Sequence, residues 1–248
     1  MRVLVARPQD DAQRTAAALA ARGHEAVIAP ALRIEMTNEA PAGGAFDGIV
    51  VTSANAVPAL ASRGEQFAGV PLFAVGTRTG TAIRAAGLGD PATADGDAHS
   101  LSELIRQSAP AGARLLHVAG RDRKAEPHAS LTAAGFRVET WPAYEALAVS
   151  RLPSVALRAL REGRLDAALH YSRRSVEVLL RLSADADVTA PLVALANVCL
   201  SADVAAPLQD AGACVVIAPR PDERALLAVL DEVAEKCGQA GSPTPGRG

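Results

Sequence analysis

Aromatic residues make up only 3% of this 248-residue chain, and cysteine occurs three times, at Cys199, Cys214 and Cys237. An odd count without CxxC spacing offers neither a disulfide framework nor a thiolate metal site, so a reducing compartment is the expectation. His24, His99, His117, His128 and His170 show no HExxH or comparable spacing, and no metal is expected. GxGxxG and GxxxxGK[ST] are missing, which removes the main support for dinucleotide and P-loop nucleotide binding. GxSxG is missing too, and no Ser/His/Asp set stands in for it. No window holds 18 uncharged apolar residues, which excludes a membrane-spanning helix. The start MRVLVARPQDD turns polar after five residues, too early for a signal-peptide core. A formal charge of −2 gives no global attraction for nucleic acid or anionic membranes. A cytoplasmic protein is expected, in which local arginines and backbone N–H groups meet any anionic ligand.

Aliphatic residues are plentiful. With 49% hydrophobic residues and few aromatics, the core must be Ala, Val and Leu, which suits helices layered on a parallel sheet. Strands are expected at 2–6, 25–29, 48–52, 71–75, 114–118, 136–140, 166–170, 192–196 and 213–217. Amphipathic stretches at 10–22, 54–62, 77–86, 99–108, 127–134, 153–162, 173–182, 201–211 and 222–236 read as helices. That alternation signals βαβ units. Gly23, Gly87, Gly135 and Gly212 each stand where a left-handed residue would close a helix.

The chain also repeats itself. FDGIVVTSANAVPAL at 46–60 and LDAALHYSRRSVEVL at 165–179 align at an offset of 119, matching Asp47 with Asp166, Ser53 with Ser172, Val57 with Val176 and Leu60 with Leu179. RVLVARP at 2–8 resembles RLLHVAGR at 114–121, and PLFAV at 71–75 resembles PLVAL at 191–195. The order of units is circularly offset, so the chain starts in one domain, enters a second and returns. The expected division is 1–33 plus 148–237 for the first α/β domain and 38–141 for the second. Segments 34–37 and 142–147 serve as a two-stranded hinge, and 238–248 (GQAGSPTPGRG) forms a disordered tail.

Each copy of the repeat ends a strand at a hydroxyl residue and starts a helix. Thr52-Ser53-Ala54 and Ser172 either cap the helix N-terminus or help its N–H groups hold an anion. Gly76, Thr77, Arg78 and Thr79 follow the strand at 71–75. There Gly permits close backbone approach, and Arg78 can pair with a carboxylate or simply be solvated. Ser201 sits in a comparable place without the glycine or arginine. Arg7 and Arg174 lie at strand ends, where they either line a cleft or are ordinary surface charge. Tyr144, in WPAYE, either packs the hinge or offers a phenol to a leaving group.

These elements, taken in order, resemble the uroporphyrinogen-III synthase family: VLVARP, FDGIVVTSANAV, FAVGTRTGTAIRAAG, the late Tyr144-Glu145, LDAALHYSRRSV and CLSADVAAPLQDAG, covering roughly 1–236. The resemblance implies two flavodoxin-like parallel-sheet domains joined by a two-stranded ladder, with the first domain built from both chain ends. The implied reaction is closure of hydroxymethylbilane, a linear tetrapyrrole with eight carboxylates, to uroporphyrinogen III. It proceeds with inversion of ring D and loss of water, through an azafulvene and a spiro intermediate. No cofactor is implied. Tyr144 matches the family's leaving-group tyrosine, while Thr52, Ser53, Thr79, Ser172 and Ser201 fall on its cleft hydroxyl positions and Arg7 on its early arginine. His170-Tyr171-Ser172 departs from the usual aromatic-Thr-Ser, and Ser201 replaces a frequent Thr. A monomer is expected, with hand-over of substrate from the preceding enzyme and neither nucleic-acid nor membrane partners. A binding or regulatory module for acidic small molecules that has lost catalysis is the alternative. A two-lobed nucleotide-sugar transferase is disfavoured because no diphosphate loop is evident.

Overall fold

The computed structural model describes residues 1–240. The chain opens with β1 (Arg2–Val5), α1 (Gln9–Ala20) and β2 (Glu25–Ile28), followed by β3 (Leu32–Met36). It continues through β4 (Gly48–Val51), α2 (Val57–Ala61), β5 (Leu72–Ala74), α3 (Thr77–Ala85), β6 (Ala92–Thr93), α4 (Ala98–Ser108), β7 (Arg114–Gly120), α5 (His128–Ala133) and β8 (Arg137–Ala148). The last stretch holds α6 (Ser154–Arg161), β9 (Ala167–His170), α7 (Arg173–Asp185), α8 (Thr189–Val193), β10 (Ala196–Cys199), α9 (Ala202–Asp210), β11 (Val215–Ile217) and α10 (Glu223–Ala240). Two compact units result: Met1–Arg33 with the chain from Ala148 onward, and Ile34–Leu147.

The first unit has a five-stranded sheet in the order β11-β10-β9-β1-β2, with every pair parallel. Renumbered within the unit this is 2-1-3-4-5, the flavodoxin-like order. The second unit carries β3-β8-β7-β4-β5-β6, in which β8 through β6 are parallel. Its five parallel strands follow the same order once β7 and β8 are counted first. The circular offset read from the repeats is therefore present in the strand order. At the edge, Thr37 N–H donates to Ala143 O and Val149 N–H to Ala31 O, both at 3.0 Å, so β3 runs antiparallel to β8.

The repeated aspartates have a local reason. Asp47 Oδ2 accepts the Arg114 N–H (2.8 Å), and Asp166 Oδ2 accepts the Arg2 N–H (2.6 Å). Each aspartate N–H in turn donates to the carbonyl of the same arginine. In both units one carboxylate thus joins the start of two adjacent central strands and satisfies a donor that the ladder leaves open. Gly23 and Gly135, the equivalent helix-closing residues, adopt φ +77° and +89°, where a Cβ would be strained.

Alternate strand residues serve opposite faces. Ile49, Val51, Leu116 and Val118 pack with Val57, Leu60 and Trp141, while Val50 and Leu115 pack with Leu101, Ile105 and Leu131. In the first unit Val3, Val5 and Leu169 meet Leu19, Leu226 and Leu230, and Cys199 meets Val176, Val204 and Leu208 across the sheet. Both sheets are covered on two faces, as their continuous apolar strands require.

Three expectations need correction. The run expected as a strand at 192–196 belongs largely to α8, and the strand is Ala196–Cys199. Its match to 71–75 through PLVAL is therefore displaced. Asn197, fully buried, is the cause: its side-chain amide binds the carbonyls of Leu192, Val193 and Leu195 and accepts from His170, so a polar residue sits in a central strand without loss. The strand expected at 136–140 does not end there: it runs on through the 142–147 segment as one 12-residue strand, β8 (Arg137–Ala148). Finally, α10 extends through Ala240 into the expected tail, and 241–248 lie outside the described residues. No described helix is long and apolar enough to cross a membrane.

Candidate functional site

In the second unit, β4 and β5 end side by side and their following turns enclose a cavity of about 290 Å³. Thr52, Ser53, Ala54, Gly76, Arg78 and Thr79 all line it, joined by Val75, Thr77 and Gly96. The expected donor set of this unit is therefore gathered at one place, at the C-terminal ends of parallel strands. Ser53 caps a short 3-10 turn (Ala54–Ala56) by accepting the Asn55 N–H at 3.2 Å. Gly76 precedes α3, and a Cβ there would lie 3.0 Å from the Gly96 Cα, a close approach of the two backbones that a larger residue would have to push apart. Thr79 is buried in the first turn of α3. The N–H groups of that first turn lack intrahelical partners and add a positive dipole end.

Behind Thr52 stands His117 from β7, with Nε2 3.0 Å from the Thr52 Oγ1. His117 is 1% exposed, and its Nδ1 has no partner. Burial, together with the charges of Arg123 and His128, pushes its pKa down to about 4. The ring is thus neutral at pH 7 and holds the Thr52 hydroxyl without adding charge.

A second cavity, about 180 Å³, opens in the first unit at the ends of β1 and β9. Arg7 and Ser172 line it with Pro8, Asp11, His170, Tyr171 and Ser175. Arg174 and Ser201 are not among its lining residues; Ser201 instead caps α9 by accepting the Val204 N–H. The Arg7 guanidinium lies 3.9 Å from the centre of the Tyr171 ring, a cation–π stack. Its Nη1 reaches Thr15 Oγ1 (3.1 Å) and Glu223 Oε1 (2.8 Å), and its Nη2 lies 3.7 Å from Asp11. Thr15 and Tyr171 also donate to Glu223 Oε1, at 2.8 and 2.9 Å. Burial and the Glu223 carboxylate hold the Tyr171 phenol protonated, well above its ordinary range.

Sequence reasoning missed Tyr171, Thr15, Asp11 and Glu223 as site residues. Tyr171 carried a signal, since it precedes Ser172 at a strand end. Glu223 carried none, because 216 positions separate it from Arg7 and no local pattern links them.

Tyr144 lies in β8 outside both linings. A register shift between Ala119 and Gly120 sets Tyr144 opposite Gly120, and the ring rests on that glycine. The residue is half-buried, and its hydroxyl has no hydrogen-bond partner among the described residues. No group of three or more His, Cys, Asp and Glu side chains suited to a metal ion occurs among the described residues. The chemistry available is that of fixed hydroxyl, guanidinium and amide donors.

A family model described as uroporphyrinogen-III synthase HemD matches residues 13–228. No curated protein matches the chain significantly. Among solved structures, the uroporphyrinogen-III synthetase of Helicobacter pylori is 15% identical with a TM-score of 0.64, over 94% of this chain and 100% of that one. A mutant uroporphyrinogen III synthase of Thermus thermophilus is 18% identical with a TM-score of 0.53, over 95% and 99%. At these identities the two structures establish the shared fold.

Proposed function

The chain belongs to the uroporphyrinogen-III synthase family, and we propose that its two strand-end cavities divide the carboxylates of the substrate while Tyr144 assists departure of the hydroxyl group. The enzyme is a lyase of tetrapyrrole biosynthesis. It closes hydroxymethylbilane to uroporphyrinogen III, inverting ring D and releasing water. Without help the bilane closes to the unwanted isomer, so the catalyst must fix its conformation and ease loss of hydroxide.

The observation that carries the site assignment is the convergence of Thr52, Ser53, Ala54, Gly76, Arg78 and Thr79 on one cavity beside the N-terminus of α3. Such a set suits ionised carboxylates without a large net charge, because hydroxyl and N–H donors each bind a carboxylate oxygen. Arg7 and Ser172 support the same role in the first unit. Arg174 and Ser201, both beside helix starts there, belong to the proposal as outer contacts. The Tyr144 hydroxyl, uncommitted among the described residues, is available to donate to the departing oxygen.

A monomer in the cytoplasm that takes the bilane from the enzyme before it completes the reading, since a free bilane is lost to spontaneous closure. No observation favours an inactive binding module. Tyr144→Phe tests the catalytic assignment: turnover to the type III isomer should fall severalfold or more with an unchanged melting profile. An unchanged rate would remove Tyr144 from the mechanism.

A further inference from the structure

We propose that Arg7, Thr15 and Tyr171 form a carboxylate subsite which, in the free protein, is filled by the enzyme's own Glu223. The subsite's ligand class is an aliphatic carboxylate, and its assignment to an acetate or propionate arm of the tetrapyrrole rests on the synthase reading above.

Three donors, one from α1 and two from the loops that follow β1 and β9, converge on a single oxygen. Glu223 Oε1 accepts from Arg7 Nη1, Thr15 Oγ1 and Tyr171 Oη, all between 2.8 and 2.9 Å. Arg7 and Thr15 are more buried than the acceptor. Thr15 is wholly buried in α1, and the Arg7 side chain is 16% exposed and stacked on Tyr171. The Glu223 side chain is 43% exposed, on the first residue of α10, where rotation of its χ angles carries it toward water without disturbing the helix. A buried threonine hydroxyl and a stacked guanidinium aimed at one point form a cradle for an oxyanion.

Charge balance supports exchange over addition. Arg7 faces Glu223 and, at 3.7 Å, Asp11, and Asp11 is itself paired with Arg14. A further anion would meet two carboxylates around one guanidinium, whereas an anion that replaces Glu223 leaves the balance unchanged. The adjoining cavity, lined by Arg7, Tyr171, Ser172 and Ser175, accepts the atoms that carry the incoming carboxylate. Substrate affinity is then lowered by the cost of displacing Glu223.

The test uses uroporphyrin III, an octacarboxylate whose fluorescence reports binding to the purified full-length protein. Glu223→Gln should tighten its Kd by about threefold or more, because a neutral amide competes poorly for Arg7. In that background Tyr171→Phe should weaken binding by about tenfold, the loss of one hydrogen bond to a charged group. In the parent the same change should cost less, because the phenol there merely exchanges one carboxylate for another. Unchanged or weaker binding by Glu223→Gln would overturn the subsite and make Glu223 a brace for Arg7. An equal effect of Tyr171→Phe in both backgrounds would overturn it as well. Turnover of hydroxymethylbilane by the parent is read separately. Absence of type III product would sink the synthase reading and leave the subsite standing on its binding pattern.

Discussion

Gly120→Ala probes Tyr144 without touching it. A Cβ at Gly120 would lie 2.9 Å from the Tyr144 Cζ, 3.0 Å from Cε2 and 3.1 Å from the hydroxyl oxygen. Carbon atoms in contact prefer about 3.5–4.0 Å, so the ring must retreat by roughly 0.5–1 Å. Tyr144 is half-buried and packs at the margin of the cluster around Trp141 and Ala143, so it has a side to move toward. The stability cost should be about 1–3 kcal/mol, in the range of overpacking elsewhere. Misplacing a reacting group by about 1 Å can lower a rate by about 100-fold. With hydroxymethylbilane as substrate, kcat for type III product should therefore fall severalfold or more, but no further than the loss caused by Tyr144→Phe. The double variant should be no slower than Tyr144→Phe alone, because no hydroxyl remains to be misplaced. A Gly120→Ala protein with lowered melting temperature and undiminished kcat would refute the reasoning. So would a double variant in which the two losses multiply.

Two further predictions concern stability. His117 and His170 are buried and their pKa values lie near 4, each chiefly through desolvation, with the Asn197 hydrogen bond partly opposing the shift at His170. The unfolded chain takes up these protons near pH 6.5 and the folded one does not, so stability is full above pH 6.5 and declines as pH falls toward 4. Between pH 7 and 5 each unit should lose about 2 kcal/mol, seen as a falling urea midpoint, and His170→Gln should flatten that fall in the first unit. A midpoint unchanged over this range would contradict the burial argument. Asp47→Ala and Asp166→Ala should each cost about 1–2 kcal/mol by orphaning the N–H of Arg114 or Arg2, and a cost below the error of a chemical melt would show that water replaces the carboxylate.

Much of the fold was legible because its signals are local. Short Val, Ile and Leu runs mark β1, β4 and β7, and the 119-residue offset already related β4 to β9. The repeated aspartate was visible as a match, while its function of binding a neighbouring strand's N–H required the fold. β10 was misplaced because LVALA has no periodicity to separate a buried helical turn from a strand, whereas ANVC carries a polar residue in its middle. That residue is tolerable only through His170 and three carbonyls, a tertiary fact. In the site, strand-end hydroxyls were readable from their position before helices, and Thr52, Ser53 and Thr79 do line one cavity together with Ala54, Gly76 and Arg78. Glu223 was unreadable, since its meaning comes from Arg7, Thr15 and Tyr171, which lie more than 50 positions away in sequence and are brought to it by folding. His117 was equally silent: nothing near it in sequence marks it as the support of Thr52.

The central claim is that this protein directs ring closure with inversion of ring D. Purified protein supplied with freshly made hydroxymethylbilane, followed by oxidation and chromatographic separation of the isomers, tests it most directly. Uroporphyrin III in large excess over the spontaneous isomer is the predicted result. Type I product alone, at the rate seen without protein, would contradict it.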